Sequence, residues 1–138
     1  MSSLLSKTAE YGIRAVLYIA LNSSKYITTK EIAKELKIPQ HFLAKVVQKL
    51  VKSKIIYSRR GKNGGLVLKK SPDKVKIIDI VLALEGDDLF KRCVLGLPNC
   101  SDKNPCPVHQ NWSIIREQIK QMLSGRTLKE LLNDEVKI

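Results

Sequence analysis

The stretch TTKEIAKELKIPQHFLAKVVQKLVKSKIIYSRRGKNGGLVL, Thr28 to Leu68, decides the fold. Thr28 and Glu31 form a capping-box pattern that starts a short helix, with Ile32, Leu36 and Ile38 on its apolar side. Pro39 suits the first turn of a second helix whose Phe42, Leu43, Val46, Val47, Leu50 and Val51 recur at three- and four-residue spacings. Two helices so closely joined predict a helix-turn-helix. Two β-prone runs follow, Ile55–Tyr57 and Leu66–Leu68, around a turn holding Gly61, Asn63, Gly64 and Gly65. Helix-turn-helix followed by a basic hairpin is the element order of a winged helix, with Arg59, Arg60 and Lys62 at the wing tip.

Upstream, SKTAEYGIRAVLYIAL (6–21) places Tyr11, Ile13, Val16, Leu17 and Ala20 at helical spacing with a broad buried face. Downstream, SPDKVKIIDIVLALEG carries a helix through Ile77–Leu84, ended by Gly86. An irregular loop rich in Pro, Gly, Asn, Asp and Ser comes next. Beyond it Val108, Trp112, Ile115, Ile119 and Met122 recur at spacings of 4, 3, 4 and 3, a heptad seam to be buried either on the chain's own core or, the favoured expectation, on the same helix of a second copy. A short last helix starts at a second capping-box pattern, Thr127 and Glu130. The expected class is mainly α with a small β-hairpin wing. Its expected divisions are a DNA-binding unit at 1–86, a cysteine-rich loop at 87–107, and a dimerisation helix with a C-terminal helix at 108–138.

The 138 residues suffice for one modest core, and the net charge of +12 is unevenly placed. Residues 1–86 hold 17 Lys and Arg against 6 acids, while residues 87–138 hold 8 against 7. From Lys45 to Lys70 there are nine basic residues and no acid, the footprint of a surface that meets a polyanion. Double-stranded DNA fits this better than a membrane, because no basic amphipathic anchor stands out and no run approaches the length of a membrane span. The expected location is the cytoplasm. On a recognition helix in the major groove, Gln40, His41, Lys45 and Lys49 are the candidates for base edges. Arg59, Arg60 and Lys62 would hold phosphates or enter the minor groove.

All three cysteines and one of two histidines lie in CVLGLPNCSDKNPCPVH, Cys93 to His109. An odd number of clustered thiols argues against a disulfide framework and for metal or redox chemistry. Cys93, Cys100, Cys106 and His109 make four ligands for zinc or for an iron–sulfur cluster. No cysteine interval is as short as the pairs typical of structural zinc, and longer loops suit a larger object than one ion. Pro107 is a good first helical residue, which would put Cys106 at an N-cap with the helix's positive end aimed at the site. A nucleophilic cysteine enzyme would need its own activating base, and the only neighbouring histidine is already used; no phosphate-binding loop is present. An enzyme is not expected.

The order of these motifs, together with the RGxxGG wing and the C-x6-C-x5-C-x2-H loop followed by a tryptophan, resembles the Rrf-two family of bacterial regulators of the IscR/NsrR type, over nearly the whole chain. The resemblance implies a homodimeric winged helix that binds pseudo-palindromic promoter DNA, with the helix after the cysteines at the dimer interface. It also implies that Cys93, Cys100 and Cys106 ligate a 2Fe-2S or 4Fe-4S cluster. His109 matches the IscR-type fourth ligand, whereas Glu10 stands near where some relatives use a carboxylate from the partner subunit. The first cysteine interval is six residues where IscR-type loops usually have five, so cluster type and signal do not carry over. Zinc is the alternative metal, in a winged-helix repressor that senses nothing.

Overall fold

The computed structural model describes residues 4–134 and 138. Its elements are α1 (Lys7–Leu21), α2 (Thr29–Leu36), α3 (Gln40–Lys52), β1 (Ile56–Arg59), β2 (Gly65–Leu68), α4 (Ile77–Glu85), α5 (His109–Ser124) and α6 (Leu128–Asn133). This is the expected helical class with a two-stranded antiparallel wing.

Local chemistry sets the boundaries. Ser6 caps α1 by accepting the Ala9 N–H, and Thr28 and Thr127 cap α2 and α6 by accepting the N–H groups of Glu31 and Glu130. The turn between α2 and α3 puts Lys37 in the left-handed region at φ 57° and returns the Ile38 N–H to the Ala33 carbonyl, which buries Ile38 between the two helices. Pro39 stands just outside α3 as its N-cap rather than in its first turn. Gly86, at φ 71°, ends α4.

The hairpin pairs Ile56 with Leu68 and Arg59 with Gly65. Its second strand is tied to the segment before α2, because Ile27 and Leu66 exchange both backbone hydrogen bonds at 3.0 and 2.7 Å. A side chain at Gly65 would strike the Ile27 backbone, and Gly65 also sits at φ 149°. Positive φ explains Gly61 as well, but not Gly64, where a Cβ would lie 2.1 Å from the Arg59 carbonyl oxygen. Glycine is needed there for close approach.

The main core joins α1 (Val16, Ile19), α2 (Ile32, Leu36), α3 (Leu43, Val46, Leu50), the wing base (Ile56, Leu66) and α4 (Ile80, Leu84). Leu128 of α6 is completely buried in the same cluster, and its N–H donates to the Val75 carbonyl at 2.8 Å. Full burial of a leucine stabilises by roughly 1.5–3 kcal/mol, so the returning α6 is part of the main core's packing. A second, smaller cluster packs Leu123 and Ile119 of α5 on Ile78 and Val81 of α4. The segment 87–108, a short 3-10 turn at Asp88–Phe90 and then turns only, is therefore held at both ends by one body.

Candidate metal centre and DNA-facing surface

The loop folds its thiols together. The Sγ atoms of Cys93, Cys100 and Cys106 all lie within 4.8 Å of one another, with Cys93 to Cys106 at 3.6 Å. His109 turns Nδ1 toward Cys100 Sγ at 3.2 Å, and the Cys106 N–H points at the same sulfur at 3.4 Å. Cys93 is buried and the other two are half-buried. None is paired in a disulfide.

α5 begins later than the Cys106-Pro107 junction suggested. Its N-cap is Val108 and His109 is its first residue, because the His109 N–H closes a turn on the Cys106 carbonyl at 3.1 Å before the helix starts. The imidazole thus stands on the rigid helix and the thiols on the loop. Trp112 joins them: its indole N–H donates to the Arg92 carbonyl at 3.0 Å, pinning the residue before Cys93 to α5. Of the seam residues, Val108, Ile115 and Met122 are exposed at 37, 48 and 58 %, whereas Trp112 and Ile119 turn toward their own subunit.

Backbone N–H groups of the loop favour charge on one thiol. The Leu97 N–H above all, then that of Leu95, lowers the Cys93 pKa to about 7 against the opposing effect of burial. For Cys100 the Cys106 N–H works the same way, but burial and the neighbouring thiols outweigh it and hold that thiol above its ordinary value. A bound cation would favour the thiolate form of all three.

The residues fit a metal centre. A tetrahedral ion with metal–sulfur bonds of about 2.3 Å sets two thiolates roughly 3.8 Å apart, close to the 3.6 Å between Cys93 and Cys106. Cys100 with His109 is the second close pair. Two pairs also match the two ligands per iron of a two-iron cluster. Glu10 lies elsewhere in its own subunit, in the first turn of α1, 3.7 Å from Lys7. It lines a cavity of about 490 Å³ shared with Asp88 and Arg92, next to the cysteine loop.

Elsewhere, α3 presents His41, Lys45, Gln48 and Lys52 to solvent at spacings of 4, 3 and 4, while Gln40 is exposed at its first turn. Lys49 is diverted, its ammonium reaching the Leu84 carbonyl at the end of α4 at 3.4 Å. Arg59 is likewise engaged, stacked 4.0 Å over the Tyr26 ring and donating to the Asn63 carbonyl at 2.7 Å. Arg60 and Lys62 are exposed. Between α3 and β1 runs an open groove of about 440 Å³ lined by Gln48, Lys52, Ser58 and Arg60 over Val47 and Val51. Gln48 and Lys52 escaped the sequence reading, although continuing the His41, Lys45 spacing along α3 would have found them. Asp102, whose Oδ1 lies 2.8 Å from His109 Nε2, left only the weak trace of a Ser-Asp-Lys-Asn turn.

Residues 5–134 match the model of the Rrf2 family, described as an iron-dependent transcriptional regulator. The chain belongs to the Rrf2 family. A protein of Aquifex aeolicus carrying the name of an HTH-type transcriptional regulator is 40 % identical over 136 residues, 97 % of this chain and 94 % of that one. The HTH-type transcriptional regulator NsrR of Oceanobacillus iheyensis is 29 % identical over 133 residues, covering 95 and 90 %. Among solved structures, CymR, the global cysteine regulator of B. subtilis, superposes with a TM-score of 0.77 at 27 % identity, covering 96 % of this chain and 98 % of that one. This chain is thus an Rrf2 winged-helix transcriptional regulator with a cysteine group able to bind metal. Among the described residues, no helix is long and apolar enough to cross a membrane.

Proposed function

We propose that this Rrf2 regulator binds pseudo-palindromic promoter DNA as a homodimer, and that an iron–sulfur cluster held by Cys93, Cys100, Cys106 and His109 controls its operator affinity. The observation that carries the reading is the convergence of three loop thiols on the His109 Nδ1 at the start of α5, in a chain whose other exposed feature is a basic helix and wing. Bound there, a cluster supplies a centre open to redox change, nitric oxide or simple loss. His109 is the proposed fourth ligand because it already stands against Cys100; Glu10 of the partner subunit is the alternative carboxylate.

The chain's own contacts offer a route from the loop to DNA. His109 opens α5, Ile119 and Leu123 of α5 pack on Ile78 and Val81 of α4, and the end of α4 receives the Lys49 ammonium from α3. Val108, Ile115 and Met122, seven residues apart and exposed, form the proposed dimer seam along α5. Two-fold symmetry would then set the spacing of the two α3 helices, which is what an operator's half-sites read. His41, Lys45, Gln48 and Lys52 face the major groove in this reading, with Arg60 and Lys62 on phosphates and Arg59 bracing the wing.

Iron, sulfide and zinc analysis of protein isolated without oxygen tests the cofactor, and operator affinity measured with and without it tests control. Stoichiometric iron and sulfide with differing affinities is the expected result. A second reading is structural zinc, favoured by the 4.8 Å span that gathers all three sulfurs as around a single ion. One zinc per chain, no sulfide and unchanged operator affinity would decide for it.

A further inference from the structure

The carboxylate of Asp102 has no part in the reading above. Its side chain is 94 % exposed, yet it meets the 12 %-exposed His109 ring at 2.8 Å through Nε2, the nitrogen turned away from the thiols. An exposed aspartate reaches a half-buried ring only if its backbone is placed for it, and here it is. Residues 101–104 form a turn closed on itself: the Ser101 N–H donates to the Asn104 carbonyl and the Asn104 N–H to the Ser101 carbonyl, both at 3.1 Å. The Ser101 hydroxyl oxygen also accepts from the Asn104 N–H at 3.1 Å, and the Asn104 amide ties the turn to the Asn99 carbonyl at 3.3 Å. Asp102 rides on this small platform, above the outer edge of the imidazole.

A neutral imidazole carries one proton, and which nitrogen holds it decides which nitrogen can bind a metal. A carboxylate at Nε2 accepts that proton's hydrogen bond and leaves the Nδ1 lone pair directed at Cys100 Sγ, 3.2 Å away. We propose that Asp102 is a positioning residue for the metal centre: it fixes His109 in the tautomer and ring orientation that ligate through Nδ1. The inference rests on His109 being a ligand, and is independent of which metal the protein holds in the cell. Outer carboxylates of this kind typically change metal affinity by 10–100-fold, and the exposure of Asp102 places it at the lower end, about tenfold.

The test uses the full-length, metal-free protein and zinc alone as probe. With nitrogen-15-labelled histidine, long-range proton–nitrogen spectra identify the metallated nitrogen, and the His41→Ala variant assigns the signals. The expected result is metal at Nδ1 with a slowly exchanging proton on Nε2. Asp102→Ala should bind zinc about tenfold more weakly and exchange that proton faster, with Asp102→Asn intermediate and Asp102→Glu partly restoring both. The circular dichroism of the variants should stay that of the parent, since the side chain is exposed. Metal at Nε2, or wild-type affinity and proton exchange in Asp102→Ala, would overturn the assignment while leaving the ligand set intact. Wild-type zinc affinity in His109→Ala would instead remove the ligand itself, and with it both this inference and the fourth position of the proposed centre.

Discussion

The two wing arginines are adjacent in sequence, and the structure separates their roles, so exchanging each for alanine should affect DNA binding differently. Among the described residues, Lys45, Lys52, Arg60 and Lys62 are the exposed cations of α3 and the wing tip that make no hydrogen bond, ion pair or ring contact. Four phosphate contacts per subunit, eight per dimer, give a slope of log K against log salt of about −7, or a loss of about four decades between 50 and 200 mM salt. Arg60→Ala removes one contact from each subunit and should flatten the slope to about −5. Arg59 is stacked on Tyr26 and bonded to the Asn63 carbonyl, so Arg59→Ala should lower affinity by a similar factor at every salt concentration while leaving the slope near the parent value. Fluorescence anisotropy with an operator duplex selected from random sequence, titrated at several potassium chloride concentrations, measures both. Equal flattening by the two variants would refute the division of roles, and a salt-independent affinity would refute the phosphate-facing surface altogether.

A Cβ on Gly12 would lie 2.1 Å from Leu84 Cδ1, where α1 meets α4. Overpacking of about 1–3 kcal/mol, less a helix-propensity gain of roughly 1 kcal/mol, should leave Gly12→Ala net destabilised by up to about 2 kcal/mol in urea unfolding. Combining it with Leu84→Ala should cost less than the sum of the two, and strict additivity would speak against the contact. Cys100→Ala should lose its metal yet remain a folded dimer by gel filtration; full iron and sulfide in that variant would remove Cys100 from the ligand set. Ile115→Glu with Met122→Glu should give monomers that keep parental circular dichroism, whereas a dimer of unchanged stability would move the interface off α5. In the metal-free protein, the lowered pKa of Cys93 means its thiolate is populated above pH about 7 and lost below it. Absorbance at about 240 nm should therefore rise by one thiolate with a midpoint near 7, ahead of the ordinary thiol range of about 8.5, and the step should be missing in Cys93→Ser.

Where local chemistry determines structure, the chain could be read directly. The Thr28 and Thr127 caps, the Gly86 stop and the apolar stripe of α3 depend on residues within a turn of one another, and each element stands where its pattern put it. Contacts between distant segments left no such mark. Nothing local says that Trp112 would bond the Arg92 carbonyl, or that Lys49 would turn to the end of α4. The start of α5 shifted from Cys106 to Val108 because a turn competed with the cap. The cysteine spacing revealed which residues belong together, but the orientation of the His109 ring comes from Asp102, seven residues away on a turn whose composition is that of any polar loop.

Under the proposed control by the thiol loop, the burial of Leu128 in the main core matters beyond stability. A sensing segment followed by a free tail could slacken without anything else noticing. Here the chain leaves the core at α4 and is anchored in it again at α6, so the span between behaves like a cord tied at both ends, whose tension can be relieved only by shifting what it is tied to. Closing or opening the knot of thiols at its middle changes the cord's effective length. The nearest fixing points are α4, which carries α5 and touches α3, and the Val75–Leu128 bond at the edge of the main core.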